Sequence, residues 1–233
     1  APTIATTTVT TSTVTTTTTP AGTGGTTTYQ AGVIGSAGSA NVDTYVRLAT
    51  PTTNNGSAAD VTVGVTNATD KINRAFMAFN LAGIPSNATV TACTLQVNVV
   101  QRTSPTAGHV RRLCSERWLD GDGQGENQAT WNEWQTGSGW GSAGAASTAD
   151  CAAGGDYSTA GELAYTPPAG TGLFAFPDMS ALCRDALASR GGWLRLRISQ
   201  DSEATQSNLL RFDSSEGTTA ANHPKLTFTW TAP

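Results

Sequence analysis

Residues 74–100 read RAFMAFNLAGIPSNATVTACTLQVNVV, and this stretch decides the fold class. Two apolar runs stand on either side of a short segment that contains Gly, Pro, Ser and Asn, the residues with which chains turn. In the second run Leu95, Val97 and Val99 alternate with polar residues, so their side chains share one face of an extended chain. The stretch therefore predicts two strands that follow each other and are buried on one face.

Short segments of the same kind recur along the rest of the chain, separated by turn residues. They lie at residues 43–50, 59–66, 74–81, 89–100, 108–118, 193–200, 208–215 and 225–231. Only residues 177–189 look helical, because Leu182 and Leu187 lie near the spacing of one helix face and two glycines follow the pattern. We therefore predict an all-β fold, a jelly-roll-like β-sandwich with one short helix and an extended Thr-rich N-terminal arm.

The composition is typical of a secreted β-protein. Only 13% of the 233 residues are charged, while Thr, Ser, Gly and Ala are abundant. The net charge of −4 leaves no basic surface for nucleic acid, and no apolar run is long enough for membrane insertion. The chain begins at Ala1-Pro2 without an apolar leader, so we expect a mature N-terminus after signal-peptide cleavage. The expected location is secreted, either extracellular or at the cell surface.

Residues 1–25 are predicted to form a Thr-rich arm with a glycine hinge, and residues 26–233 a β-sandwich domain. Twelve of the first nineteen residues are Thr and none is charged, so the arm has too little apolar surface to build a core. Thr is nevertheless β-branched and suited to strands, and Ile4, Val9 and Val14 recur within the arm. The arm is therefore either a flexible linker or an extended strand that pairs with a sheet edge, in its own domain or in a neighbouring copy.

The chain has four cysteines, Cys93, Cys114, Cys151 and Cys183. They form neither a Cys-x-x-Cys pair nor a Cys/His cluster, which argues against a zinc site. An even number of cysteines in a secreted chain favours two disulfides. Cys93 and Cys114 flank the turn segment TSPTAG at similar distances, so a hairpin folded there would place them opposite each other. We expect the pairs Cys93–Cys114 and Cys151–Cys183, while the sequence leaves the other two pairings open.

Several segments follow one another in an order that is found in a known family. They are DTYV at 43–46, VTVG at 61–64, the strand pair at 74–97, the loop RWLDGDGQGENQATWNEW at 117–134, DMSALCRDAL at 178–187, GGWLRLRIS at 191–199, FDSSE at 212–216 and PKLTFTW at 224–230. Together they resemble DNRLRE-type β-sandwich modules, which are related to carbohydrate-binding module family 96. The chain departs from that pattern at Cys93 and in the Gly/Ala-rich segment 141–162. The resemblance implies a non-catalytic module that binds carbohydrate, mediates adhesion or has a structural role.

The loop at 117–134 contains the candidate metal ligands. Asp120, Asp122 and Glu126 supply carboxylates on a glycine-bearing loop, which is the chemistry that calcium requires, although the spacing is not that of an EF-hand. The alternative is a solvated loop whose Asp and Asn side chains cap turns. Calcium is therefore the one cofactor that the sequence leaves open, and no other cofactor is expected.

Tryptophans are concentrated in and just after the same loop. The resemblance implies that Trp118, Trp131 and Trp140 pack the loop onto the sheet. Trp134 has no counterpart in the family pattern. Because sugar rings stack on exposed aromatic faces and large aromatics also fill cores, Trp134 is either a ligand or partner contact or a core residue, and it is our candidate for ligand binding.

No catalytic motif is present: the sequence lacks Gly-x-Ser-x-Gly, Ser-x-x-Lys, His-Glu-x-x-His and a P-loop. We therefore do not expect an enzyme. In one interpretation the chain is an extracellular structural protein, a self-assembling filament or surface-layer subunit whose arm pairs with the neighbouring subunit by strand addition. In the other it is a carbohydrate-binding module whose partner is a polysaccharide and whose Thr-rich segment is a linker. The strand propensity of the arm favours the first, a homopolymer.

Overall fold

The structure is a computed structural model that describes residues 24–30, 42–66, 72–81, 83–114, 128–149, 151, 154–203 and 207–232. Within these ranges the strands are β1 (Gly25–Gln30), β2 (Val42–Arg47), β3 (Asp60–Val65), β4 (Ile72–Asn80), β5 (Thr89–Thr103), β6 (Gly108–Leu113), β7 (Glu133–Gln135), β8 (Ser138–Gly139), β9 (Tyr157–Tyr165), β10 (Gly172–Ala175), β11 (Trp193–Gln200), β12 (Leu209–Asp213) and β13 (Lys225–Thr231). One α-helix, α1 (Ser180–Ser189), and a 3-10 helix (Ala220–Asn222) complete the list. No helix in the described part of the chain is long and apolar enough to cross a membrane.

Eleven of these strands form one curled antiparallel sheet. Its order is β1-β13-β5-β12-β3-β4-β11-β6-β9, with β10 added to β5 and β2 added to β4, while β7 and β8 form a separate hairpin. We call β1, β13, β5, β12 and β10 the threonine half, and β2, β4, β11, β6 and β9 the arginine half. Strand β3 joins the halves, because it pairs with β12 from Asp60 to Val63 and with β4 at Gly64 and Val65.

The inner sides of both halves contribute to one apolar core. Leu95, Val97 and Val99 of β5 lie in the same buried cluster as Leu194, Leu196 and Ile198 of β11. This is the alternation that the sequence predicts, with every second side chain of a strand on the core side. The expected all-β, jelly-roll-like fold with one short helix is confirmed. Residues 1–23 of the predicted arm, with Ile4, Val9 and Val14, lie outside the described residues.

The eight strand segments predicted from the sequence coincide with β2 to β6 and β11 to β13. The predicted helix is α1, whose buried side includes Leu182, Cys183 and Leu187. The sequence did not indicate β1 or β7 to β10. These strands are short or rich in Thr, Ser, Ala and Gly, so their apolar alternation is weak.

Two disulfides are present, but the pairing expected from the sequence is wrong. Cys93 is bonded to Cys183, which ties α1 to β5, and Cys114 is bonded to Cys151. The expected pairing assumed that β5 and β6 form a hairpin around TSPTAG. Instead β5 pairs with β13, β12 and β10, while β6 pairs with β11 and β9. The segment after β5 is a crossover from the threonine half to the arginine half, so it carries Cys114 away from Cys93.

Candidate binding site on the covered face

The arginine half is buried on both sides of its central strands. In β4 the residues from Asn73 to Phe79 are all buried, and in β11 those from Leu194 to Gln200. Arg195 and Arg197 lie on the opposite side of β11 from its core residues, as the alternation predicts, yet only 6% and 3% of their surface is exposed. We call this outer side of β4 and β11 the covered face.

Residues 128–149 cover it. Trp131, Trp140, Ala129 and Ala145 form a second apolar cluster with Val42, Val46, Phe76, Ala78 and Leu113. The Trp140 ring lies 5.1 Å from the Phe76 ring, and its Nε1 donates a hydrogen bond of 2.9 Å to the carbonyl of Thr130. Asn54, from the NNG turn after β2, donates to the carbonyl of Ala129 at 2.8 Å. Trp131 and Trp140 therefore pack the loop onto the sheet, as the resemblance implies.

A polar cleft of about 230 Å³ lies beside this cluster. Four strands of the arginine half contribute to its walls: Arg74 comes from β4, Arg197 from β11, Arg111 from β6 and Tyr157 from β9. Arg197 and Arg111 are directly opposite each other in the register of β11 and β6. Since side chains directly opposite on one face are neighbours, the sheet itself brings these guanidinium groups together. We call this site the arginine cleft.

Two of the three arginines have carboxylate partners. Arg74 forms a two-bonded pair with Glu203, with Nε–Oε1 and Nη2–Oε2 distances of 2.7 and 2.6 Å. Its Nη1 donates to the carbonyl of Gly144 at 2.6 Å, and its guanidinium lies 4.9 Å from the centre of the Trp131 ring. Arg111 donates from Nε to Glu162 at 2.5 Å. These two charges are therefore neutralised within the protein.

Arg197 has a different environment. Its Nη1 donates to Ser199 Oγ at 2.7 Å, and its guanidinium lies 4.5 Å from the centre of the Tyr157 ring. Within the described ranges, no carboxylate forms a salt bridge with it, and its buried Nε has no hydrogen-bond partner. Burial, together with the charge of Arg74, lowers the pKa of Arg197 to about 9, so the group remains charged at neutral pH.

Glu203, which is already paired with Arg74, also lines the cleft and partly offsets the charge of Arg197, but it forms no salt bridge with it. A buried cation without a directly bonded carboxylate is unfavourable, and an anion that reached it would form strong, charge-assisted hydrogen bonds. The planar fork of a guanidinium suits carboxylate and sulfate groups in particular. The cleft also has aromatic neighbours, since Tyr157 lines it and Trp131 stacks on Arg74. The arrangement is therefore suited to binding a small anionic group.

The candidate ligand residue Trp134 lies elsewhere. It belongs to β7, is partly buried and packs against the cluster of the covered face, but it is not among the residues that line the arginine cleft. The candidate calcium ligands Asp120, Asp122 and Glu126 lie outside the described residues, as does Trp118. Within the described ranges, no group of three or more His, Cys, Asp or Glu side chains is arranged to hold a metal ion.

Sequence reasoning missed the arginine cleft. Its signal was present in WLRLRISQ, where two arginines alternate with core residues in the middle of a strand. By itself, that pattern predicts a strand that is buried on one side and faces solvent on the other. Nothing in the local sequence indicates that a loop from residues 128–149, more than forty positions away, covers part of that side.

Residues 36–149 match the model of carbohydrate-binding module family 96. The match confirms, over this range, the resemblance that the sequence motifs indicate. It contains the whole covering loop together with Arg74 and Arg111, whereas Tyr157 and Arg197 come from strands beyond it. A comparison with curated proteins finds no match.

Proposed function

We propose that this chain is a non-catalytic carbohydrate-binding module, and that its arginine cleft binds an acidic sugar unit of a polysaccharide. The match to carbohydrate-binding module family 96 supports the general function. The preference for an acidic sugar rests on one observation: Arg197 is buried, charged and without a carboxylate partner among the described residues. The carboxylate of a uronate or the sulfate of a sugar ester would supply an anion that bonds directly to Arg197.

The size of the cleft limits what it holds. Its volume of about 230 Å³ lies below the roughly 300–1,000 Å³ that is usual for sites enclosing a whole drug-sized ligand. One charged sugar unit would enter the cleft while the rest of the polysaccharide runs along the surface. Trp134, which is partly exposed and packs against the cluster of the covered face, is proposed as a second contact where a neighbouring sugar ring stacks.

The experiment is affinity electrophoresis of the whole chain through gels that contain a polyuronate, a sulfated polysaccharide or a neutral polysaccharide. We expect retardation by at least one acidic polymer and none by the neutral one. The retardation should weaken as salt is raised, because ionic contacts are screened. Retardation by the neutral polymer alone would contradict the acidic preference, and free migration in all three gels would contradict the carbohydrate-binding function itself.

We propose further that the module belongs to a secreted or cell-surface protein. Its two disulfides support this, since such bonds persist in oxidising compartments. In this proposal residues 26–233 form the β-sandwich domain and the Thr-rich residues 1–25 are the linker that joins it to its surroundings. Calcium bound by Asp120, Asp122 and Glu126 stays a prediction, to be tested by the effect of calcium and of a chelator on the melting temperature.

The homopolymer in which the arm of one subunit pairs with the next also stays a prediction, and the family match favours carbohydrate binding over it. Deletion of residues 1–20 tests it. If electron microscopy shows polymers of the full chain and none of the shortened chain, the result would support strand addition by the arm, with Ile4, Val9 and Val14. If the full chain stays monomeric, the prediction is wrong.

A further inference from the structure

A buried carboxylate lies behind one wall of the arginine cleft. Asp156 is completely buried and directly precedes β9. Its Oδ1 accepts the backbone N–H of Gly141 at 2.6 Å, and its Oδ2 accepts those of Ser142 and Ser147, both at 2.9 Å. Three backbone donors pointing at one carboxylate form an anion-binding nest. Asp156 therefore fixes the course of the 141–147 segment.

This segment fits too closely to its neighbours to take another course. A Cβ atom at Gly141 would lie 1.8 Å from the carbonyl oxygen of Gly154. Gly144 has a φ of +74°, and a Cβ there would lie 2.7 Å from both Arg74 Nη1 and the Trp131 ring. The segment accordingly presents the Gly144 carbonyl to Arg74 at one position, where it accepts the 2.6 Å hydrogen bond from Nη1.

Asp156 is connected to the opposite wall as well. The residue after it is Tyr157, whose ring lies 4.5 Å from the guanidinium of Arg197 and 5.4 Å from that of Arg111. The backbone N–H groups of Asp156 and Tyr157 both donate to the carbonyl of Ser147, at 2.9 and 3.3 Å. Asp156 thus contacts the loop wall, which holds Arg74, through its carboxylate, and it is joined to Tyr157 of the strand wall through its backbone.

We propose that Asp156 is a positioning residue of the arginine cleft, acting through the 141–147 segment and the Gly144 carbonyl on the guanidinium of Arg74. This inference rests on the proposed function, because it assigns a role in the same cleft. It adds a residue outside the family match, and one that does not line the cleft.

The test is Asp156→Asn in the full chain, which keeps the shape and replaces an acceptor with an N–H₂ group that faces backbone donors. We expect affinity for a polyuronate to fall by about tenfold or more, by analogy with the loss seen when groups that orient metal ligands are removed. The Nε–H resonance of Arg74 in NMR spectra should shift at the same time. The matched control is Asp178→Asn, because Asp178 accepts the N–H groups of Cys93 and Ser180 at the start of α1, away from the cleft. Its affinity should equal that of the wild type.

A double-mutant cycle separates positioning from general loss of structure. In an Arg74→Met background, Asp156→Asn should cause little further loss of affinity, because its effect passes through Arg74. An equal loss in both backgrounds would overturn the inference, as would full affinity with an unshifted Arg74 resonance in Asp156→Asn. If Asp156→Asn does not fold, Gly144→Ala disturbs the same 141–147 segment where it contacts Arg74. Unchanged affinity of Gly144→Ala would contradict the inference. If the wild type binds no polysaccharide, the proposed function fails, while the Arg74 resonance still tests the positioning.

Discussion

The two outer sides of the sheet differ, although the strands beneath them share one core. On the threonine half, the outer side of β1, β13 and β5 carries Thr26, Thr28, Thr94, Thr227 and Thr229, all at least partly exposed. We call this the threonine face. Its hydroxyl groups find partners nearby, as in the 3.1 Å contact between Thr26 Oγ1 and Thr229 Oγ1. On the arginine half, the covered face lies under a loop and holds buried arginines.

The comparison shows on which side of the sheet polar side chains depend on partners within the protein. A strand side that faces water needs only polar residues that are satisfied by water or by each other. A side that is covered must either be apolar, as around Trp131 and Trp140, or pair its polar groups. Arg74 and Arg111 are paired in this way, and Arg197 is not. Arg197, whose buried Nε has no hydrogen-bond partner, is the reason that we propose ligand binding on that side.

Substitutions on the two faces should differ most in their effect on the free energy of unfolding. Trp131→Ala should lower the free energy of unfolding by about 3–5 kcal/mol, because it opens a cavity between the loop and the sheet. Thr227→Ala on the threonine face should change it by less than about 0.5 kcal/mol. Guanidinium chloride unfolding followed by tryptophan fluorescence and by circular dichroism measures both. Equal effects of the two substitutions would mean that the loop does not pack on the sheet as described.

The disulfides sharpen the comparison, because each holds a different region. By loop-closure entropy, losing Cys114–Cys151 should cost about 4 kcal/mol and losing Cys93–Cys183 about 4.5 kcal/mol. The first bond closes the shorter loop, residues 114–151, which contains the covering segment, whereas the second ties α1 to β5. The comparison is made at a temperature at which both double variants are folded. We expect the Cys114→Ser, Cys151→Ser variant to lose affinity for an acidic polysaccharide. The Cys93→Ser, Cys183→Ser variant should keep that affinity. Equal affinities of the two variants would show that binding does not depend on the covering loop.

A smaller effect, a pH-dependent change in stability, tests a contact between the two halves. Asp43 of β2 accepts the backbone N–H of Ser215, which follows β12, at 2.8 Å. Burial, with the charge of Glu216 added, raises the pKa of Asp43 to about 7. The folded state therefore binds this proton more tightly than the unfolded chain does, and the stability present at low pH is lost as pH rises towards 7.

We expect the free energy of unfolding of the wild type, relative to Asp43→Asn, to fall by about 2 kcal/mol between pH 5 and 7, since the slope is at most about 1.4 kcal/mol per pH unit. Urea unfolding at a series of pH values measures the difference, and the comparison with the variant cancels the other titrating groups. Parallel curves for the two proteins would show that Asp43 does not carry this proton.

The sequence predicts the fold better than it predicts the site. Alternation such as that of Leu95, Val97 and Val99 depends on local residues, and the strands follow it. The disulfide pairing and the arginine cleft depend instead on which strands become neighbours. Arg111 belongs to β6 and Cys114 directly follows it, and this strand crosses to the arginine half rather than folding back on β5. Long-range placement of this kind leaves no local pattern in one sequence.

Isothermal titration calorimetry with a polyuronate tests the central claim most directly. The variant is Arg197→Lys, which keeps the charge but loses the planar fork. The control is Arg211→Lys on the threonine half, where the arginine is already paired with Asp60 and Gln101. We predict that Arg197→Lys weakens binding by about tenfold or more, the loss of one charge-assisted hydrogen bond, while Arg211→Lys leaves it unchanged. Equal affinity of both variants and the wild type would contradict binding at the arginine cleft.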